Sequence, residues 1–194
     1  MVLPLNIPQI DSFSDEELTS LCLANPELNI ERDENGQIFI NMSPTYALTS
    51  LNNSELNTEV SLWNRRMRAG KVFDSNSAFI LPDTSMRGPD VAWVQKERWD
   101  KLSLKEKKSF PKLVPDFVVE LASDTDLLDD VKNKMGKWIK NGVRLAWLVN
   151  PKEQLTYVYQ KGSKVVREVS FDETLNGGQV LVGFEVKLSE ILEY

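Results

Sequence analysis

Three carboxylates stand at positions from which they could act together. Asp90 follows Arg87-Gly88-Pro89 and opens the apolar run Val91-Ala92-Trp93-Val94. Glu120 closes the run Phe117-Val118-Val119, and Glu55 lies on a long helical stretch upstream. Between Asp90 and Glu120 lie 29 residues, room for a short helix and for two neighbouring strands that bring the acids together. Two carboxylates about a metal's width apart hold Mg²⁺, which keeps several waters and takes few protein ligands. Such an ion lowers the pKa of a bound water and neutralises charge on a phosphoryl oxygen. The chain contains no histidine. That removes Ser-His-Asp and Cys-His catalysis and every His-ligated zinc site, leaving hard, oxygen-liganded ions such as Mg²⁺ or Mn²⁺. Each acid also has a plainer account. Glu55 fits an exposed helix acid, Asp90 a turn after Gly-Pro, and Glu120 a partner for some basic side chain.

The element that must position Glu120 spans residues 115–150, PDFVVELASDTDLLDDVKNKMGKWIKNGVRLAWLVN. Phe117-Val118-Val119 has the apolar continuity of a strand buried on both faces. Ser123-Asp124-Thr125-Asp126 offers turn and N-cap residues. From Leu127, apolar residues recur at 128, 131, 135, 138 and 139, which is helical spacing. Asn141-Gly142 ends that helix, and Leu145-Ala146-Trp147-Leu148-Val149 is a second buried strand. Two such strands joined by one helix predict a parallel pair with a right-handed crossover. Sites in open α/β sheets gather at the carboxyl ends of strands, where Glu120 falls.

Upstream, residues 1–13 read as an extended lead-in, and Ser14 and Glu17 have capping-box spacing for a short helix to Ala24. Runs 28–33 and 37–42 flank Asn35-Gly36, a hairpin signal closed by Ser43-Pro44. A helix over 50–69 carries Leu56, Val60, Trp63 and Met67 on one face, with Glu55 at its edge, and ends at Gly70. Strands are expected at 72–73, 78–81 and 91–94, and a second capping box at Ser103 and Glu106. Further strands are expected at 155–159, 164–169 and 180–186. With no repeat or linker, the expectation is a single α/β domain over 1–194, in which 1–24 form an N-terminal extension with a short helix.

Composition narrows the partners. Hydrophobic residues make up 41% and charged residues 27%, ordinary for a water-soluble domain. No apolar run approaches a membrane span and no signal-peptide order opens the chain. The lone Cys22 excludes an intramolecular disulfide and suits a reducing cytoplasm. The net charge of −6 counts against broad affinity for nucleic acid. Charge is unevenly placed, however: residues 96–112 carry seven Lys or Arg against three acids, and 115–130 carry six acids and no base. A basic segment near an acidic pocket suits an enzyme acting on a polyanion, and equally a solvated surface helix.

Pro89-Asp90, followed by Glu120 after an apolar strand, resembles the PD-(D/E)XK nuclease superfamily. Over about residues 25–190 the chain is similar to the bacterial Uma-type restriction endonuclease family, abundant in cyanobacteria. The segments that carry the likeness are NGQIFINMSP, ELNTEVSLWNR, KVFDSNSAFILP, RGPDVAWV, PDFVVEL and DDVKNKMGKWIKNGVRLAWLVNP, the last three in that order being the most specific. The resemblance implies a restriction-endonuclease-like mixed central sheet flanked by helices, with an antiparallel N-terminal hairpin. It implies a Mg²⁺-dependent endonuclease (Mn²⁺ serving in its place) that hydrolyses DNA phosphodiester bonds, with Asp90 and Glu120 as metal carboxylates and Glu55 as a helper in metal or water binding. The superfamily's lysine, two residues after the second acid, is Ala122 here. In this family the lysine's role moves to the following helix, where Lys134 stands, four residues after Asp130 and four before Trp138, itself a position where tyrosine is commoner. Lys134 there can lay its methylenes on apolar surface and extend its ammonium toward the acids. An ion pair with Asp130 would instead turn it along the helix. Two other functions fit the same residues: a catalytically idle binding or partner protein that keeps the fold, and a metal-dependent hydrolase of a small phosphorylated substrate. Cutting both strands of DNA would call for a two-fold dimer, since one site cuts one strand at a time.

Overall fold

The computed structural model describes residues 2–5, 13–41 and 46–194. Of the expected lead-in over 1–13, residues 1 and 6–12 lie outside the described residues, as does the Ser43-Pro44 stop. In chain order the elements are β1 (Val2–Leu5), α1 (Asp15–Ala24), β2 (Asn29–Arg32), β3 (Ile38–Asn41), α2 (Ala47–Met67), β4 (Gly70–Phe73), β5 (Phe79–Ile80), β6 (Met86–Arg87), β7 (Val91–Gln95), α3 (Lys96–Asp100) and α4 (Leu104–Lys107). They continue with β8 (Phe117–Leu121), α5 (Leu128–Asn141), β9 (Leu145–Asn150), β10 (Leu155–Gln160), β11 (Arg167–Ser170), β12 (Thr174–Asn176), β13 (Glu185–Lys187) and a 3₁₀ turn at Leu188–Glu190.

Strands β8 and β9 pair in parallel, from Phe117↔Leu145 to Leu121↔Val149, with α5 as the crossover. Both are buried along their whole length, as their uninterrupted apolar runs require. The other pairings of this sheet are antiparallel, and its order is β11-β10-β9-β8-β7-β4. This is the mixed central sheet of the expected fold class.

Successive side chains alternate between the faces of a strand, and each face has its own helix. Phe117, Val119 and Leu121 join the layer under α2, with Leu56, Val60, Trp63 and Trp93. Val118 joins the layer under α5, with Met135, Trp138, Ala146 and Leu148. Glu120 has the parity of Val118, so the pleat aims it at α5.

A second sheet is antiparallel, in the order β1-β3-β2-β6-β5. Its β2–β3 hairpin turns at Gly36, whose φ of 85° suits glycine. Helix α1 has its capping box at Ser14 and packs Leu18 with Ile30, Ile38 and Met86, so it belongs to this second layer. Strand β6 runs into Gly88-Pro89-Asp90, which carries the chain from the second sheet into the central one.

Several expected boundaries differ. Helix α2 starts three residues earlier than expected and ends at Met67, capped by Arg68 in the left-handed region at φ 52°. Gly70 is a strand residue instead: a Cβ there would lie 2.1 Å from the Val94 carbonyl oxygen, so glycine serves the close β4–β7 approach. Met67 leaves the buried stripe and is exposed. Helix α5 has Leu127 at its N-cap with no side-chain cap, because Ser123 and Asp126 satisfy each other in the preceding loop. In the tail, residues 180–184 form turns, and β12 pairs with β13.

Candidate active site

Glu120 ends β8 on the α5 face and is 6% exposed. The Trp138 indole Nε1–H donates to its Oε1 at 2.7 Å, and the Lys134 ammonium lies 3.1 Å from its carboxylate. Trp138 and Lys134 are four residues apart on α5, one turn, so one helix face supplies both groups. Lys134 also donates to the Gly88 carbonyl and to Glu31 Oε1, each at 3.1 Å. Its ammonium turns away from Asp130 and joins three elements: β2, the β6–β7 link and the end of β8. Ala122 packs in the apolar layer under α5.

Asp90 lies at the same sheet end, because β7 begins where antiparallel β8 finishes. Its Oδ2 accepts the Leu121 backbone N–H at 2.7 Å, and its Oδ1 accepts from Asn53 Nδ2 of α2 at 3.2 Å. Asp90 is thereby tied to the residue next to Glu120. The other end of the Asn53 amide, Oδ1, is buried with no hydrogen-bond partner among the described residues.

Glu31, 6% exposed, completes the cluster from the second sheet. Its Oε1 accepts the Gly88 N–H at 3.0 Å, and its Oε2 lies 3.9 Å from Arg87. Arg87 in turn pairs with Glu34, which also pairs with Lys137 of α5.

Negative charge is crowded here. Burial pushes Glu120 up to about 7, against the pull of Lys134, with Asp90 and Glu31 adding to the rise. Burial likewise raises Asp90, opposed by the Leu121 N–H, Lys134 and Asn53. Burial alone would favour neutral Lys134. Glu120, Glu31 and Asp90 outweigh it and hold the ammonium charged, above the ordinary lysine range.

Of the four residues singled out in the sequence, Asp90, Glu120 and Lys134 share this site. Glu55 does not join them by any contact: it has no hydrogen-bond or ion-pair partner among the described residues. At about 100° per residue, it points roughly 160° around α2 from Asn53, the side chain that does reach Asp90. The group from α2 is thus an amide, not an acid. Glu31 was not singled out at all, though a signal was present. Glu31 and Arg32 adjoin in a short strand, so one of them must face inward. The basic segment 96–112 is not beside this site, since α3 leaves the opposite end of β7.

A family model, "Uma2: Putative restriction endonuclease", matches residues 15–189. Among solved structures, the chain is similar to "a putative nuclease belonging to DUF820" from Anabaena variabilis ATCC 29413, with a TM-score of 0.73 and 18% identity over 92% of this chain and 97% of that one. That likeness shows a shared fold. No curated protein matches. Among the described residues no helix is long and apolar enough to cross a membrane.

Proposed function

The chain belongs to the Uma2 family of putative restriction endonucleases, and from that premise we propose that it hydrolyses phosphodiester bonds of DNA with a divalent cation, Mg²⁺ or Mn²⁺, held by Asp90 and Glu120. The observation that carries the reading is two crowded acids at one sheet end with a single ammonium between three carboxylates. The donor set fits a hard ion. It offers carboxylate oxygens, and beside Asp90 it leaves one amide oxygen buried and unpartnered. Among the described residues no group of three His, Cys, Asp or Glu side chains could enclose a metal, so water would complete the shell, as Mg²⁺ prefers. When bound, such an ion supplies Lewis-acid neutralisation of a phosphoryl oxygen and a water of lowered pKa. Asp90 and Glu120 bind it. The Leu121 N–H and Asn53 fix one carboxylate, and Trp138 fixes the other. Lys134 places positive charge where a phosphate would gain negative charge. The chain works in the cytoplasm, and cutting both strands requires two copies of it.

One observation favours the reading of an idle nuclease-fold partner protein. Lys134 already satisfies itself on Glu31, Gly88 and Glu120, so the site is closed by its own cation. Incubation of supercoiled plasmid with Mg²⁺ or Mn²⁺ separates the two. The nuclease reading expects nicked or linear product with wild type and none with Asp90→Asn or with chelator. Intact plasmid under conditions where Mn²⁺ binds would leave the idle reading, or one of a small phosphorylated substrate.

A further inference from the structure

The end of the central sheet opposite the carboxylates gathers basic side chains from three segments. Helix α2 finishes on Arg65 and Arg66, followed by Arg68 and by Lys71 of β4, with no acid among residues 65–73. Strand β4 pairs with β7 from Gly70↔Gln95, and the Lys96 N–H donates to the Ala69 carbonyl at 2.8 Å. These contacts seat the start of α3 against β4, just beyond the end of α2. The α3–α4 connection then adds Lys101, and α4 and its C-cap add Lys105 and Lys108. Lys107 Nζ lies 5.5 Å over the Trp99 ring, and Lys71 and Lys107 both act on Asp100. Arg65, Arg66, Arg68, Lys71, Lys101 and Lys105 are exposed, and none of them forms an ion pair among the described residues. By contrast Lys96, Arg98 and Lys112 are already spent on Asp100, Asp116 and Asp15.

On a chain of net charge −6, basic residues of these segments outnumber their exposed acids, Glu97, Asp100 and Glu106, which is a segregation of charge. The carboxylate end has the opposite sign, with Asp124, Asp126, Asp129 and Asp130 exposed around it. Phosphates are therefore repelled at the mouth of the site and attracted at the far end. From Asp90 to Gln95 the strand climbs about 17 Å, at roughly 3.3 Å per residue. Along one strand of duplex DNA that distance spans about five base pairs, at roughly 3.4 Å each.

We propose that this basic end is a second anion-binding surface, one that takes the phosphodiester backbone of duplex DNA about five base pairs from the bond presented to Asp90 and Glu120. The position of the cut rests on the nuclease reading; the binding does not. The surface anchors the polyanion that the acidic mouth cannot hold by itself, and the edge strand β4 connects the two ends. It reads no sequence, because exposed lysines and arginines contact phosphate rather than base edges.

The test is fluorescence anisotropy of a labelled 20-base-pair duplex in chelator, across a salt series. Three proteins are compared: wild type, Lys101→Glu/Lys105→Glu/Lys108→Glu, and a charge-matched control, Lys140→Glu/Lys152→Glu/Lys164→Glu. All six sites are exposed, and unchanged melting temperatures check the folds. The triple variant at the basic end should lose at least tenfold in affinity at low salt. Its log–log salt slope should flatten by about 2.7, from three contacts at about 0.9 each, while the control stays within threefold of wild type. Equal losses in both variants would reduce the effect to net charge and overturn the proposal. So would absence of duplex binding by wild type, including the case in which polyglutamate competes for this surface and DNA does not. Failure of the nuclease reading looks different: binding is lost in the triple variant although wild type cuts nothing with Mg²⁺ or Mn²⁺. Cleavage by a triple variant that binds DNA at full affinity would sink the surface and leave the nuclease standing.

Discussion

Strand β8 has a buried carboxylate at each end, and their surroundings differ in the balance of charge. Asp116, just before the strand, is 1% exposed. Arg98 lies 2.8 Å and Arg144 3.7 Å from its Oδ1, and the Gln95 N–H donates to its Oδ2 at 2.9 Å. Two cations and a backbone donor thus serve one acid. At the other end one ammonium serves Glu120 and Glu31 and lies near Asp90, helped only by Arg87 at 3.9 Å from Glu31. The first arrangement compensates a buried charge and ties α3 and β9 to the sheet. The second leaves negative charge in surplus, at a cost to stability that a further cation would relieve. Both acids flank the same Phe117-Val118-Val119 run, so what distinguishes them is what the fold brings to each.

The sharpest way to break this comparison is to neutralise one acid at each end. Asp90→Asn should cut divalent-dependent cleavage by roughly 10³-fold, because metal-borne charge stabilisation is worth several kcal/mol. Its melting temperature should hold or rise, since a buried charge is removed. Asp116→Asn should do the reverse: keep cleavage and lose about 2–3 kcal/mol of stability, the figure being discounted because Arg98 and Arg144 are partly exposed. Denaturant titration and plasmid cleavage of both variants check this. Equal behaviour of the two would dissolve the distinction.

Removing the lone ammonium is the next test. Lys134→Met leaves Glu120 without its cation and Glu31 with only Arg87, which should cost about 3 kcal/mol in chelator. Cleavage should fall by about 10²-fold, with electrostatic stabilisation of the transition state lost. Mn²⁺ binding should survive, and saturating Mn²⁺ should return most of the lost stability. Calorimetric Mn²⁺ titration with thermal melts decides it, and wild-type cleavage by this variant would exclude Lys134 from the chemistry.

Acidity gives a smaller effect of definite sign. Glu120 sits at about 7 in the folded protein against an ordinary 4.5. Between those values the folded chain holds a proton that the unfolded chain has released, so stability falls as pH rises through that window. Glu120→Gln removes this dependence. In chelator, its stability relative to wild type should therefore climb from about pH 4.5 to 7 and then level off. A flat difference would mean that Lys134 and Trp138 offset the burial of Glu120.

How much of this was legible in the sequence follows from how local each signal is. The β8–α5–β9 unit was, because its apolar runs, helical spacing and Gly142 lie in one continuous segment. Asp90 and Glu120 stood out as strand-end acids, and Lys134 through the family resemblance. Asp116 did not, since Arg98 and Arg144 come from separate elements. Glu31 was hidden by belonging to the other sheet. Helix α3 carries no side-chain cap and continues β7 without a break, so no punctuation announced it. For α2 the buried stripe at Leu56, Val60 and Trp63 was plain. Which polar residue beside that stripe faces Asp90 depends on where β7 begins, and the stripe does not encode that.

That ambiguity sets the last and smallest effect, Asn53 against Glu55. Asn53 donates to Asp90 through Nδ2 and leaves Oδ1 buried and unpaired. An unsatisfied buried acceptor costs about 1–3 kcal/mol, and one hydrogen bond to a charged group returns about 1.5–3. Asn53→Leu, of similar size, removes both terms, so in chelator its stability should lie within about 1 kcal/mol of wild type. With Mn²⁺ present the balance changes. The amide oxygen gains a partner in the ion or its water, and the amide N–H still aims Asp90. The leucine variant should then bind Mn²⁺ several-fold more weakly and gain less thermal stability from it. Glu55→Gln changes a side chain on the far side of the helix, without a partner among the described residues, and should leave Mn²⁺ affinity unchanged. If Glu55→Gln weakens the ion and Asn53→Leu does not, the contribution of α2 comes from its acid, and the unpaired amide oxygen is a flaw of packing rather than a place for a cation.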